Sequence, residues 1–403
     1  MKKKEIIFLI SFSSIGAYLN SQKYFINLIS KNFKEIYFMN IDHLKLFPEE
    51  FATNRNFDKG ILKKFPRNIK FFNPKTFKEL DNFFKNKNPL VINNIGRTFE
   101  VYGILYYLKK NKISQILVGH IGNIQASIYD WHKYNLNIIK YFITKLLSRW
   151  FSRFLIFCGV FSQIDVRFIS NYSIYRSFKK RSKSIFFKIF PPYYKELVLV
   201  KSKIFDNFAK DKKNLSEKYI VHLDFDPYYR EMKIVRQGKL DKNSVKEHYK
   251  KLNNLLELLS KQYKKEVIIS IHPLYDQKKT EERFNKFKVI KMKTEELINN
   301  SFLVVFFDSS AILQAIKLKK KIIAIRSNLF FGGKKYNSDL YAERIRLKKI
   351  DINKKLNINK NKLLKELNKN VKTYDNYLNK YASANMPELG SIKMLNYIKS
   401  NYF

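Results

Sequence analysis

Short runs of apolar residues recur along the chain, and segments with helical spacing of apolar positions separate them. In the first half these runs lie at Glu5–Ser11, Glu35–Asn40, Pro89–Asn93, Gln115–Val118 and within Val160–Ile169. The segments Ser21–Asn32 and Thr98–Asn111 place apolar residues three and four positions apart, which predicts amphipathic helices. Strands that alternate with such helices are typical of βαβ units, so the first half predicts a parallel sheet.

The same alternation begins again near residue 218. Strands are predicted at Tyr219–Leu223, Glu266–Ile271, Lys286–Lys291, Phe302–Phe307 and Lys321–Ile325, and helices at Ser244–Tyr263, Thr294–Asn299 and Ala311–Lys317. Helical spacing continues in Asp351–Lys380 and in Ser391–Ile398. We therefore expect an α/β protein with two doubly wound, Rossmann-like domains.

A basic segment, Ser177–Lys188, is followed by Pro191 and Pro192 and marks a boundary between the two sets. We predict an N-terminal domain over residues 1–190 and a linker over 191–217. A C-terminal domain is expected over 218–385, and a final helix over 386–403.

Composition limits the fold and the partners. The 403 residues include 79 Lys and Arg against 34 Asp and Glu, a net charge of +45, and 45% are hydrophobic. This hydrophobic content excludes a disordered chain, and the single cysteine, Cys158, excludes a disulfide framework. Most basic residues are lysines spread along the chain, and no RRM, zinc-finger or KH pattern occurs. We expect no nucleic-acid partner, while attraction to phosphate or anionic lipid stays open.

The segment Leu136–Phe161 predicts a basic helix. Lys140, Lys145, Arg149 and Arg153 follow one another at four or five residues, with Trp150 and several phenylalanines around them. Such a helix can lie in the interface of an anionic membrane, or it can be an ordinary buried helix with one basic stripe. Because no stretch has the length of a membrane span, we expect a cytoplasmic protein, peripheral on the inner membrane face if residues 136–161 bind lipid.

Two strand ends of the second half carry polar residues. One strand ends in His272-Pro273, and the next buried strand ends in Asp308-Ser309-Ser310, which opens a helix. A helix N-terminus attracts phosphate, His272 can donate to the same anion, and Gln314 can reach a ribose hydroxyl. Helix capping by Asp308 or Ser309, and a structural role for His272, are the alternatives. The two motifs together predict an anion pocket.

The segments "IISIHPL" and "LVVFFDSSAILQAIKLKKKIIAI" resemble the donor-binding half of bacterial GT-B glycosyltransferases. They are similar to the HP and Ser-Ser motifs of sialyltransferase-like and capsule-polysaccharide transferases, and to those of polyglycerol-phosphate polymerases. The resemblance covers residues 218–330. It implies two Rossmann-like domains that face each other across a cleft, with C-terminal helices that pack back, and a reaction of surface-polysaccharide synthesis that requires no metal or cofactor.

The resemblance also implies a donor site. Its members would be His272, Pro273, Thr294, Asp308, Ser309, Ser310 and Gln314. His272 would contact the donor phosphate, Thr294 would precede a helix beside the base, and Gln314 would take a ribose-contacting place that is commonly Glu. From the residues alone, Arg326 and Lys334-Lys335 could neutralise the leaving phosphate or belong to the general basic excess.

The catalytic base should come from the first domain. Candidates are Glu100, His120, Asp130 and His132, and His120 is best placed because it follows the strand QILVG. A structural role is the alternative for His120. In the second domain, Asp224 and Asp226 follow a strand and would face the cleft as a base, or form a turn before Pro227. The loop Ser11–Gly16 would line the acceptor side.

These patterns predict a glycosyltransferase that moves a sugar from a nucleotide-activated donor, with a CMP-linked donor favoured, to a surface polysaccharide or lipid-linked glycan. A nucleotide-sugar 2-epimerase of the same architecture is the first alternative. The segment Asp308–Gln314 lacks the "DSGGxQEE" pattern expected of such enzymes. A GT-B-like protein without catalysis and a nucleic-acid-binding protein driven by charge are the others.

Overall fold

The computed structural model divides the chain into two units. It describes residues 5–10, 22–45, 66–85, 87–95, 99–118, 136–182, 184–185, 187, 190–206, 217–225, 242–271, 275–291, 293–307, 309, 311–327 and 337–403. The first unit draws on residues 1–122, 143–210 and 380–403, and the second on residues 123–142 and 211–379.

A seven-stranded parallel sheet lies at the centre of the first unit. Its strands are β1 (Glu5–Ile10), β2 (Glu35–Asn40), β3 (Ile69–Phe72), β4 (Leu90–Asn93), β5 (Ser114–Val118), β6 (Ile164–Ile169) and β7 (Tyr194–Leu199), in the order β3-β2-β1-β4-β5-β6-β7. The helices are α1 (Lys23–Ser30), α2 (Phe77–Phe84), α3 (Tyr102–Lys110), α4 (Leu136–Phe157, in this unit from residue 143), α5 (Tyr172–Arg181) and α13 (Gly390–Tyr402).

Alternation along β1 sends successive side chains to opposite faces of this sheet, and each face packs against helices. Ile6 and Phe8 join a core with α1 and with Met394 and Leu395 of α13. Ile7 and Leu9 join a second core with α2 and α3. Both faces of the sheet are therefore covered, as a doubly wound fold requires.

Helix α13 is fastened to the first unit by buried polar groups. The Asp206 carboxylate accepts hydrogen bonds from the Ser391 backbone N–H at 3.0 Å and from the Ser391 hydroxyl. Beside it, the fully buried Lys203 ammonium donates to Gln22, the residue before α1. Burial raises the pKa of Asp206 and lowers that of Lys203 to about 7. The return of the chain to the first unit is thus fixed by specific contacts.

The second unit holds a six-stranded parallel sheet. Its strands are β8 (Tyr219–Leu223), β9 (Val267–Ile271), β10 (Lys288–Lys291), β11 (Ser301–Phe306), β12 (Lys321–Arg326) and β13 (Lys348–Asp351), in the order β10-β9-β8-β11-β12-β13. The helices are α6 (Lys242–Tyr263), α7 (Gln277–Arg283), α8 (Thr294–Asn299), α9 (Ile312–Lys317), α10 (Asn337–Ile345), α11 (Lys360–Val371) and α12 (Tyr374–Ala382).

The long helix α6 covers one face of the second sheet. Leu252, Leu255, Leu256 and Leu259 are buried in one cluster with Ile220, Ile269 and Val305 from the strands. Four apolar residues at these positions form one helical stripe, which explains why the sequence predicted this helix correctly.

The structure confirms the α/β class, the two Rossmann-like units and the return of the C-terminal helix. It corrects the linker predicted over 191–217, because residues 194–199 form β7 at the edge of the first sheet. Lys195 and Glu196 are exposed in this strand, so its apolar run is only the three residues Leu197–Leu199. None of the helices in the described ranges is long and apolar enough to span a bilayer.

Candidate functional site

The second sheet has one point at which the direction of its connections changes. β8 and β11 are neighbours, but the chain continues from β8 to β9 on one side and from β11 to β12 on the other. In doubly wound sheets, ligands bind outside the carboxyl ends of the strands at such a point. Leu223 and Phe306 end the two strands here, so the residues that follow them form the candidate site.

Several residues predicted for the site lie outside the described residues. They are His120, Asp130, His132, Asp226, His272, Pro273, Asp308, Ser310, Lys334 and Lys335, together with the loop Ser11–Gly16. Their placement stays a prediction. The structure describes Glu100, Asp224, Thr294, Ser309, Gln314 and Arg326.

Thr294 is hydrogen-bonded to a strand at the carboxyl end of the second sheet. Its hydroxyl lies 2.9 Å from the Ser270 hydroxyl near the end of β9. The Ser270 carbonyl in turn accepts a hydrogen bond of 3.0 Å from the Asp224 backbone N–H. The ends of β8 and β9 and the start of α8 are thus joined by two hydrogen bonds. The first turn of α8 therefore lies at the carboxyl edge of the sheet. Its place beside a nucleotide base stays a prediction.

Ser309 and Gln314 belong to the segment after β11. The Ser309 hydroxyl accepts a 3.3 Å hydrogen bond from the Ala311 backbone N–H. Ala311 itself is the N-cap of α9, and no side chain among the described residues caps this helix. The Gln314 Oε1 atom is buried and has no hydrogen-bond partner among the described residues. Burying an amide oxygen without a partner costs free energy. The partner of this acceptor is therefore not among the described residues, and the ribose contact of Gln314 stays a prediction.

Arg326 ends β12 and is exposed at the same edge. Its neighbour Ser327 is buried, and the Ser327 hydroxyl lies 2.7 Å from Nδ1 of His248 in α6. In the first unit, Glu100 is half-buried in the turn Phe99–Val101 that precedes α3.

A buried cluster of ionisable side chains lies under the candidate site. His222 of β8 lies between Ile269 and Val305 of the neighbouring strands, on the sheet face that α6 covers. Its Nε2 atom is 3.6 Å from Oδ1 of Asp224, and neither side chain is exposed. Among the described residues, no hydrogen-bond partner meets either His222 ring nitrogen or either carboxylate oxygen of Asp224.

This burial corrects the placement of Asp224. The sequence put its carboxylate at the open edge of the sheet, but the two-residue alternation of β8 places residues 220, 222 and 224 on the covered face. Burial raises the pKa of Asp224, and the nearby His222 and Arg283 oppose this shift. A carboxylate without exposed surface can position the segment that follows β8, but it does not face a substrate.

His248 completes the cluster and was not singled out from the sequence. Burial lowers its pKa to about 3, with smaller contributions from His222 and Lys251. The imidazole is therefore neutral at pH 7, and its Nε2 atom has no partner among the described residues. Its position one turn before Leu252, on the apolar stripe of α6, was the signal that this histidine is buried.

The first sheet carries neutral amides at its own switch point, which lies between β1 and β4. Asn93 at the end of β4 donates to Gln115 at 2.8 Å, and Gln115 donates to Ser162 at 2.8 Å. At the end of β2, Asn40 donates to Asn73 at 2.9 Å. Such amides can bind hydroxyl groups but do not act as bases at neutral pH. No three His, Cys, Asp or Glu side chains come together as metal ligands in the described part of the chain.

No protein-family model matches this sequence, and no curated protein matches it in sequence. Solved structures do share its fold. The UDP-GlcNAc 2-epimerase of Methanocaldococcus jannaschii gives a TM-score of 0.52 at 16% identity, over 98% of this chain and 99% of that chain. Its complex with UDP-GlcNAc and UDP gives 0.51 at 14% identity, with the same coverage.

Two further structures are similar over nearly the whole chain. S. aureus MnaA, solved with UDP, gives a TM-score of 0.51 at 10% identity, over 99% of this chain and 96% of that chain. The wall teichoic acid polymerase TagF gives 0.50 at 14% identity, over 99% of this chain and 89% of that chain. At these identities the likeness shows the fold, and it confirms the GT-B-type architecture that the sequence predicted.

Proposed function

We propose that this chain is a GT-B-type glycosyltransferase of surface-polysaccharide synthesis, which transfers a sugar from a nucleotide-activated donor to a glycan or lipid-linked acceptor. The observation that carries the proposal is the order of the second sheet. It brings the ends of β8, β9 and β11 together at one switch point, where the HP and Ser-Ser motifs follow β9 and β11.

The donor site of this proposal consists of His272, Pro273, Thr294, Asp308, Ser309, Ser310, Gln314 and Arg326. The leaving nucleotide gains negative charge as the sugar bond breaks, so donors and cations around the phosphate stabilise the transition state. His272 and Arg326 would supply this stabilisation, with hydroxyl groups from the two serines. The amide oxygen of Gln314, which has no hydrogen-bond partner among the described residues, would accept a hydrogen bond from a ribose hydroxyl.

His120 would act as the base that deprotonates the acceptor hydroxyl. Asp224, which the sequence also nominated for catalysis, would instead hold the segment after β8 in place from its buried position. The reaction in this form needs no metal ion. The fold neighbours solved with UDP or UDP-GlcNAc support a nucleotide-sugar ligand, while the HP and Ser-Ser pair favours a CMP-linked one.

A thermal-shift screen with CMP, CDP, UDP, GDP and their sugars tests the proposal. A ligand at about 100 times its Kd stabilises the folded state by about 2.7 kcal/mol, which gives a measurable rise in Tm. We expect one nucleotide to raise the Tm of the wild type and of His43→Ala, an exposed-histidine control, but not of His272→Ala. If no nucleotide or nucleotide sugar stabilises the wild type, the proposal is wrong.

The 2-epimerase alternative has the support of the fold neighbours that carry this name. It predicts inversion at carbon 2 of UDP-GlcNAc without an acceptor, and deuterium at that carbon after reaction in D2O. A transferase instead releases the nucleotide only when an acceptor is present. Proton NMR of UDP-GlcNAc incubated with the protein in D2O distinguishes the two reactions. Nucleotide binding without either reaction would favour the GT-B-like protein without catalysis.

A further inference from the structure

Helix α4 differs from an ordinary surface helix in the side chains that it buries and exposes. Its buried side contains the small polar residues Ser148 and Ser152. The Ser148 carbonyl accepts a 2.6 Å hydrogen bond from Tyr102, which fixes this side to the first unit. Ile156 is buried in a core of the first unit, but most large apolar residues between positions 143 and 157 face outward, and Leu147 and Phe157 are each 57% exposed. The helix therefore exposes the surface that folding would normally bury.

The outward side chains form one continuous stripe. Ile143, Leu146, Leu147, Trp150, Phe151, Phe154 and Phe157 are all exposed and follow helical spacing. The stripe continues into a groove of about 510 Å³ lined by Phe99, Leu147, Trp150, Phe151, Phe154 and Phe190. Trp150 packs edge-on against Phe190 with 5.8 Å between ring centroids, so the groove is held open by aromatic contacts. Contiguous apolar surface of this kind marks an interaction site.

The sequence that contains the stripe is strongly basic. Residues 136–190 contain eleven Lys and Arg and one acidic residue, Asp165. The Asp165 carboxylate is neutralised by an ion pair of 2.7 Å with Lys195. Arg149 is exposed beside the stripe, and the Arg153 guanidinium lies over the Phe187 and Tyr193 rings at 5.5 and 5.2 Å. The partner of this surface must therefore be apolar at its centre and negatively charged around it.

We propose that the α4 stripe docks the protein onto an anionic lipid bilayer. The phenylalanines and Trp150 would enter the acyl boundary, the groove would take up acyl-chain segments, and the cations would contact lipid headgroups. A second copy of this chain is a poorer partner, because a two-fold interface would place the same basic surface on both sides. The assignment of this docking surface rests on the residues of α4, and it does not depend on the reaction proposed above.

Vesicle flotation with the full chain tests this inference. We expect binding to vesicles that contain phosphatidylglycerol, weak binding to pure phosphatidylcholine, and a decrease of binding as salt rises. The double variant Phe154→Ser/Phe157→Ser should weaken partitioning about tenfold or more, because two exposed apolar anchors are lost. Tyr106→Ser is the matched control, since Tyr106 is 52% exposed outside the stripe. Flotation that the double variant leaves unchanged would overturn the assignment to α4.

The intrinsic fluorescence of Trp150 gives a second readout that needs no change in the stripe. The chain has two tryptophans, so Trp131→Phe leaves Trp150 as the only one. We expect a blue shift on addition of anionic vesicles and quenching by lipids brominated on their acyl chains. Absence of both effects contradicts the proposal. So does a concentration-dependent dimer, seen by light scattering, that Phe154→Ser/Phe157→Ser dissociates while vesicles leave Trp150 unaffected.

Discussion

The Nε2 atom of His222 lies 3.6 Å from Oδ1 of Asp224, with both side chains fully buried at the carboxyl end of β8. The distance brings the two groups into electrostatic contact without a close hydrogen bond. Burial raises the pKa of the carboxyl, and the imidazole opposes that shift. The pair is therefore a buried electrostatic interaction directly beneath the switch point of the second sheet.

Truncating the Asp224 side chain should destabilise the protein. Asp224→Ala leaves a cavity and a buried imidazole without its neighbour, so we expect a loss of about 1–3 kcal/mol in the free energy of unfolding. Asp224→Asn keeps the shape and should lose less. Urea unfolding at pH 7 measures both, with Asp276→Asn as a control because Asp276 is an exposed N-cap and Asn also caps well. Equal losses for Asn and Ala would contradict the prediction.

The same variant separates two roles for Asp224 in turnover. If the carboxylate positions the segment after β8, Asp224→Asn should raise the KM for the donor and leave the pH dependence of kcat unchanged. A base in contact with the acceptor would instead lose most of kcat in this variant and lose the acidic limb of its pH profile.

His248 should make the protein less stable in mild acid. Its folded pKa of about 3 lies below the ordinary value of 6.5, so the unfolded chain alone binds a proton there at pH 5. This contribution is complete above pH 6.5 and is lost as the pH falls toward 3, by about 2 kcal/mol between pH 7 and pH 5. The pKa of Asp224 is raised, so this carboxyl group acts in the opposite sense. Its contribution to stability is lost as the pH rises through its folded pKa.

Replacing His248 by glutamine isolates the contribution of this histidine to the pH dependence of stability. The glutamine amide can still bond to Ser327 but does not titrate, so the loss between pH 7 and pH 5 should shrink by about 2 kcal/mol. Urea unfolding at the two pH values gives the difference. His43→Gln, on an exposed histidine, should change nothing, and an unchanged pH dependence in His248→Gln would show that this imidazole is protonated in the folded state.

Gln314 should lower the stability of the ligand-free protein and raise its affinity for the nucleotide. Gln314→Leu removes a buried amide oxygen that has no partner among the described residues, so the ligand-free protein should keep or slightly increase its Tm. The same change removes the proposed ribose contact and should weaken nucleotide binding about tenfold, as for one hydrogen bond. Calorimetric titration and a melting curve test both effects. Gln277→Leu, in α7, should leave the affinity unchanged.

The start of α13 should tolerate no side chain. A Cβ atom at Gly390 would lie 1.9 Å from the Lys201 carbonyl oxygen, so Gly390→Ala must push the helix away from the first unit. We expect a loss of about 3 kcal/mol or more. Gly103→Ala is the control, because its Cβ meets only the Phe77 ring, at 3.2 Å, and alanine favours a helix. Equal melting temperatures for the two variants would contradict this.

The elements that the sequence predicted correctly are those with a dense apolar pattern. β8, β9 and β11 are buried on both faces and are almost continuous apolar runs, which His222 interrupts in β8 and Ser270 in β9. The edge strand β7 was missed because Lys195 and Glu196 are exposed side by side. Edge strand β3 was missed for a related reason, since its four residues include no fully buried one. An edge strand needs less apolar surface, so its pattern is weak.

The sequence predicted the motifs at the ends of single strands, but not the contacts between different strands and helices of the site. The motifs after β9 and β11 follow from strand prediction, whereas the sheet order, which puts β8 between those two strands, comes only from the structure. The cluster of His222, Asp224 and His248 joins β8 to α6, and Ser327 joins it from β12. Nothing in the local sequence relates residue 248 to residue 327, because their proximity arises from packing across the sheet.

Helix α13 also has a consequence for synthesis on the ribosome. Met394, Leu395 and Ile398 are fully or almost fully buried against strands from the start of the chain, with the whole second unit between them in sequence. The second unit can therefore complete its core while the nascent chain is still attached. The first unit must wait, with one apolar face of its sheet uncovered, until residues 390–402 have left the exit tunnel.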